Sequence, residues 1–202
     1  MVAAHLGKLG FDEVHTGVAH TGVVGVLRGS LPGGAVALRA DMDALPVKEM
    51  TGLPYASTAT GEYLGETVPV MHACGHDAHV AILMGAATVL ASLREDVHGG
   101  VTLVFQPAEE GPPPGEDGGA RMMLADGLLE KAGNPSAIFG LHVWPGDAGK
   151  LSYRARGAMA AADMIKITVN GVQTHGSSPW KGVDPIVVSA QIINALQTIP
   201  SR

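Results

Sequence analysis

Residues 101–105, Val-Thr-Leu-Val-Phe, narrow the choice of fold more than any other stretch of this chain. A short run that is apolar almost throughout offers no side to water. It therefore reads as a strand covered on both faces, at the centre of a layered sheet. Strand and helix patterns alternate around it. Residues 23–28 and 35–39 read as two strands joined by Leu31-Pro32-Gly33-Gly34, a turn by composition. Residues 78–94 and 120–131 read as helices, 138–143 as a further strand, and 1–9 as the tail of an amphipathic helix with Val2, Leu6 and Leu9 on one face. Residues 47–70 read mostly as loop, and 111–119, rich in proline and glycine, as a surface loop. The alternation points to a layered α/β domain with a largely parallel sheet, whose ligands collect beyond the carboxyl ends of the strands.

After Gly157 the texture changes, with a strand expected over 162–170, a loop over 171–182 and a helix over 184–199. The expected division is thus 1–157 for a first domain and 158–202 for the start of a second. One strand and one helix cannot close a core of their own, so the chain is expected to be incomplete at its C-terminal end. Hydrophobic residues at 46% and charged residues at 16% argue for a folded protein and against disorder. A net charge of -6 gives no basic footprint for nucleic acid and no polybasic membrane patch. The longest apolar stretch, residues 80–93, is about fourteen residues against the roughly 20 a bilayer span needs. A single cysteine excludes an internal disulfide framework and fits a reducing compartment, and no signal-peptide pattern opens the chain; a cytoplasmic location is expected.

That cysteine stands in His72-Ala73-Cys74-Gly75-His76-Asp77. In extended chain, positions i and i+2 point to one face, so Cys74 and His76 could reach one metal centre; they could equally be a buried thiol beside surface histidines. Asp77 reads as a cap for the following helix, and His79 and His72 as either structural or supporting residues. Glu109 and Glu110 are adjacent, and in extended chain would point in opposite directions. One could then ligate metal while the other takes a proton from activated water, although such a pair alone is usually a solvated loop. His142, near the end of its strand, reads as a ligand or a hydrogen-bonded core histidine. His175 lies on a loop of the second segment, and His5, His15, His20 and His98 read as surface.

The motifs Arg39-Ala40-Asp41-Met42-Asp43-Ala44-Leu45-Pro46, His72 through His79, Gln106-Pro107-Ala108-Glu109-Glu110-Gly111, Leu141-His142-Val143 and His175 through Pro185 occur in this order. With them the chain resembles, along its whole length, the aminoacylase/carboxypeptidase-type metal-dependent amidohydrolases. Within that family it is most similar to the branch of hippurate hydrolases, N-acyl-amino-acid amidohydrolases and auxin-conjugate hydrolases. The resemblance implies an α/β, three-layer, zinc-peptidase-like catalytic domain with a mixed, largely parallel sheet. An inserted α+β lid that often mediates dimerisation interrupts that domain, so a homodimer is expected of a complete protein. It implies two divalent metal ions (Zn, Mn, Co or Ni) held by Cys74, His76, Glu110 and His142, with Glu109 as general base. His175 would steady the oxyanion, in its own chain's site or a partner's. Asp41 matches an acidic position that supports the metals; the residue two places earlier is histidine in other branches but Arg39 here, so Asp41 is placed behind the ligands, with Asp77.

The implied reaction is hydrolysis of an N-acyl amino acid to a carboxylate and an amino acid. The family's last histidine ligand has no counterpart after His175, and its first helix starts earlier. The expectation is therefore an internal fragment of an enzyme roughly twice as long. Two rivals stand beside this reading: a catalytically inactive remnant that binds metal weakly or self-associates, and a thiol hydrolase using Cys74 with His76.

Overall fold

The computed structural model describes residues 1–112, 115–159, 161 and 163–199. The polypeptide divides into two compact units, Met1–Gly146 and Asp147–Arg202. The first contains, in chain order, α1 (Val2–Lys8), β1 (Glu13–Val18), β2 (Gly22–Arg28), β3 (Leu31–Asp41), β4 (Thr60–Tyr63), β5 (Glu66–Pro69), α2 (His76–Ser92), β6 (His98–Gln106), α3 (Gly119–Ala125), α4 (Leu128–Lys131) and β7 (Ile138–Gly140). Its main sheet has the order β1-β2-β6-β3-β7. β3 runs parallel to β6 and β7, while β1 with β2 and β2 with β6 are antiparallel.

The strand expected at the centre is there, as β6, and it is covered on both faces. Val101, Leu103 and Phe105 pack with Leu6, Phe11, Leu83 and Ala87 on the α1/α2 side. Val104 packs with Met123 and Leu128 on the α3/α4 side, where buried Thr102 donates its hydroxyl proton to the Ala132 carbonyl at 3.1 Å. The period of two along the strand thus feeds two cores, which makes the unit three-layered.

Several local expectations are corrected. β2 and β3 are not neighbours, because β6 lies between them. The glycines between them serve a close crossing: a Cβ on Gly29 would lie 2.1 Å from the Val97 carbonyl oxygen, and one on Gly33 2.7 Å from the Gly99 nitrogen. The helix expected over 120–131 breaks at Gly127, which takes φ +79. The break frees Asp126 to accept from the Ala19 N–H at 2.7 Å, tying α3 to the β1–β2 turn. The segment expected as loop contains the β4–β5 hairpin. β7 stops at Gly140, so His142 sits beyond the strand rather than in it.

In the second unit, α5 (Pro185–Leu196) starts where expected. Asp184 caps it, accepting from Ile186 N–H at 2.8 Å and Val187 N–H at 3.4 Å, with proline in the first turn. The strand expected over 162–170 is not formed over 163–170, and Ala162 lies outside the described residues. A strand needs a hydrogen-bonded partner, and among the described residues none pairs with this stretch. No helix of the described residues is long and apolar enough to cross a membrane.

Candidate metal centre

Parallel pairing sets Asp41 opposite Gln106, so β3 and β6 end at one level and the acidic segments that follow them leave side by side. Ala108, at φ +46, then breaks the extended chain after β6. Glu109 and Glu110 do not diverge as expected: Glu109 Oε2 lies 3.9 Å and Glu110 Oε1 3.6 Å from His76 Nε2. His76 opens α2 and is 1% exposed; Gly75 before it takes φ +83, and a Cβ there would meet Val143 Cγ2 at 2.5 Å. His142, past β7, brings Nε2 to 3.4 Å from Cys74 Sγ.

Asp43 is the residue that sequence reasoning passed over. Its Oδ2 accepts from the backbone N–H groups of Glu109 at 2.9 Å and Glu110 at 3.0 Å. Its Oδ1 and its own carbonyl oxygen each lie 3.1 Å from His76 Nδ1. The His76 proton therefore belongs on Nδ1, which leaves a lone pair on Nε2. That nitrogen is buried and has no hydrogen-bond partner among the described residues. An unsatisfied buried acceptor costs about 1–3 kcal/mol, and such an orphan calls for an electrophile. The motif Asp-Met-Asp was the available signal for Asp43; its role depends on a contact 66 residues away in sequence.

Asp41 is fully buried between Arg39 Nη1, at 2.7 Å, and His79 Nδ1, at 2.5 Å. Burial opposes its ionisation, but the hydrogen bond from His79 and the charge of Arg39 outweigh it, holding the carboxyl below its ordinary value. Arg39 also donates through Nε to Gln106 Oε1 at 2.9 Å, joining the two parallel strands. Cys74 sits among carboxylates. Its hydrogen bond with Glu110, then partial burial and the charges of Glu110, Glu109 and Asp41, push the thiol up to about 11.

Among the described residues, three donor sets have ligand atoms within 4.8 Å of one another: Cys74, His76 and His142; His76, Glu109 and Glu110; and Asp41, His76 and His79. A tetrahedral ion with bonds of about 2.0 Å to nitrogen and 2.3 Å to sulfur spaces its ligand atoms about 3.3–3.8 Å apart. The Cys74–His142 separation of 3.4 Å matches that spacing. His142 also turns Nδ1 to the Val143 carbonyl at 2.6 Å, which leaves the lone pair on the nitrogen facing Cys74. The mixed thiol, imidazole and carboxylate set suits a transition-metal dication. His79 does not join it, because its Nε2 accepts from the Val143 N–H at 2.8 Å while Nδ1 serves Asp41.

Asp77, His72 and His175 belong to none of these donor sets. Asp77 is not the cap of α2; Gly75 is, with no side-chain cap, and Asp77 is an exposed anion in the first turn. His72 is exposed, with Nδ1 3.2 Å from the Asp43 carbonyl. His175 belongs to the second unit, where its Nδ1 accepts from the Ser177 N–H at 3.1 Å and lies 2.8 Å from the Ser177 hydroxyl. That arrangement places its proton on Nε2.

The model of Peptidase family M20/M25/M40 matches residues 37–198. The chain is 45% identical to thermostable carboxypeptidase 1 of Saccharolobus solfataricus, over 100% of this chain and 48% of that protein. It is 44% identical to the hippurate hydrolase of Campylobacter jejuni, over 100% of this chain and 49% of that one. The chain spans about half the length of the curated relatives it matches. Among solved structures, a protein of methicillin-resistant Staphylococcus aureus assigned as an aminohydrolase superposes with TM-score 0.73 at 35% identity, over 99% of this chain and 50% of that one. The Bacillus subtilis YXEP protein, described as a dinuclear metal binding peptidase, gives TM-score 0.59 at 38% identity, over 71% of this chain and 36% of that one. With the family model covering most of its length, the chain belongs to peptidase family M20/M25/M40.

Proposed function

We propose that this chain carries the metal-binding half of an amidohydrolase that cleaves N-acyl amino acids of the hippurate type. The observation that carries the reading is the buried, unpartnered Nε2 of His76, faced by the carboxylates of Glu109, Glu110 and Asp41. Cys74, His76, Glu110 and His142 would hold two divalent cations, with Zn²⁺, Mn²⁺, Co²⁺ or Ni²⁺ compatible with these donors. Such cations polarise the scissile carbonyl and stabilise negative charge on its oxygen. Glu109 takes the proton of the attacking water and returns it to the amine, which must leave protonated because an amide nitrogen is a poor leaving group. Asp43 holds both glutamates and His76 in place for this. His175 has Nε2–H as its free donor, which suits the role of oxyanion donor assigned to it.

The relatives support the substrate class: they include a hippurate hydrolase, an N-acetyl-L-cysteine deacetylase of Bacillus subtilis and an IAA-amino acid hydrolase of Arabidopsis thaliana. In this reading, residues from 158 onward begin a lid that dimerises in the complete protein, and a thiol ligand suits the reducing cytoplasm. Use of Cys74 as nucleophile is disfavoured, because reactive thiols sit in electropositive surroundings and this one is ringed by carboxylates.

The test combines elemental analysis of the chain with hydrolysis of a hippurate-like substrate by the complete protein before and after chelation. Activity should vanish with the cation and return with Zn²⁺ or Mn²⁺. Activity that survives chelation but is lost on alkylation would replace this reading with the thiol mechanism.

A further inference from the structure

We propose that His79 is a positioning residue, which sets His142 against Cys74 by fastening the backbone of Val143. The inference rests on the metal-centre reading above. His79 lies in the first turn of α2 and is 2% exposed. A buried imidazole is costly unless both nitrogens are paired, and here both are. The Val143 N–H donates to Nε2 at 2.8 Å, so the proton sits on Nδ1, which donates to Asp41 Oδ1 at 2.5 Å. No lone pair is left for a cation. The Val143 carbonyl in turn accepts from His142 Nδ1 at 2.6 Å, which aims His142 Nε2 at Cys74. The two rings meet edge to face with centroids 4.6 Å apart.

One buried side chain thereby ties the end of β3, the start of α2 and the loop past β7. Residues 141–144 are all exposed, so apolar packing does little to hold this loop. The hydrogen bond from Val143 to His79 takes over that task. Groups that orient metal ligands from behind typically change metal affinity by about 10- to 100-fold when removed.

Two substitutions separate the hydrogen bonds. His79→Asn keeps a donor near the Nδ1 position for Asp41 but stops short of Val143. His79→Gln reaches the Nε2 position, where its amide oxygen can accept from the Val143 N–H. The probe is Cd²⁺, followed by NMR of isotopically labelled histidine ring nitrogens, with thermal melting of each variant alongside. In the unsubstituted protein the nitrogens of His76 and His142 should respond to Cd²⁺, and those of His79 should not. His79→Asn should keep the His76 response, lose that of His142 and bind Cd²⁺ about 10- to 100-fold more weakly. His79→Gln should retain the His142 response. Direct coupling of His79 to Cd²⁺, a normal His142 response in the asparagine variant, or an equal loss in both variants overturns the proposal. No histidine response in the unsubstituted protein would overturn the metal centre itself, and this inference with it.

Discussion

Replacing Asp43 by asparagine changes one oxygen to an NH₂ group and almost nothing in shape, yet it touches three residues of the candidate centre, His76, Glu109 and Glu110. Asp43 Oδ2 accepts from two backbone N–H groups, and Oδ1 faces His76 Nδ1 at 3.1 Å. Asparagine can keep its oxygen on the two N–H groups, but its NH₂ must then face His76 Nδ1. Two donors cannot share a hydrogen bond, so the His76 proton is driven toward Nε2 and the lone pair that the proposed centre would offer a cation is lost. The Asp43 carbonyl, also 3.1 Å from Nδ1, opposes that shift and keeps the effect partial. Loss of such an orienting partner lowers metal affinity by about 10- to 100-fold, which is about 1.4–2.8 kcal/mol at 1.4 kcal/mol per tenfold. Weaker acceptance from Glu109 and Glu110 should cost about a further 1 kcal/mol of folding stability. Competition titration of Zn²⁺ against a chromophoric chelator reads the first quantity, and urea unfolding of the metal-free protein reads the second. Wild-type affinity in Asp43→Asn would refute the tautomer argument. Lost stability with unchanged affinity would reduce Asp43 to a fastener of the loop after β6.

In the complete protein, Glu109→Gln is expected to abolish amide hydrolysis while leaving cation content near the unsubstituted level; loss of cation would exchange its role with that of Glu110. Metal-free Cys74 should alkylate slowly at neutral pH, and its rate should keep rising with pH toward about 11, where an ordinary thiol near 9 would already have levelled off. Bound Zn²⁺ should block labelling at every pH, and equal rates with and without it would remove Cys74 from the ligand set. Gly75→Ala forces alanine to φ +83 and its Cβ to 2.5 Å from Val143 Cγ2. It should cost about 1–2 kcal/mol in urea unfolding from the left-handed backbone alone and weaken Zn²⁺ binding by displacing His142; unchanged affinity would show that the loop past β7 adapts freely.

Much of this molecule can be read along the chain. The almost unbroken apolar run 101–105 demands cover on both faces, and β6 has it. Asp184 followed by proline marks the start of α5. The thiol, the imidazoles and the paired carboxylates are donor types that a metal centre uses, and they can be read from the sequence. These are properties of single residues or of near neighbours, so local physics suffices. The rest depended on tertiary structure. Nothing between residues 29 and 34 reveals that β6 enters between β2 and β3, because strand order is set by which distant edges bury the most apolar surface together. Extended-chain geometry sends Glu109 and Glu110 apart, whereas in the fold Asp43 holds both backbone N–H groups and both carboxylates face His76. The stretch 163–170 has the texture of a strand, but a strand exists only with a partner. Asp43 looks like any acidic loop residue until parallel register sets Asp41 opposite Gln106 and carries its carboxylate to the glutamate N–H groups. Donor chemistry belongs to the side chain and is written in the sequence. Which lone pair is left free is decided by hydrogen bonds between segments that meet only when the chain folds.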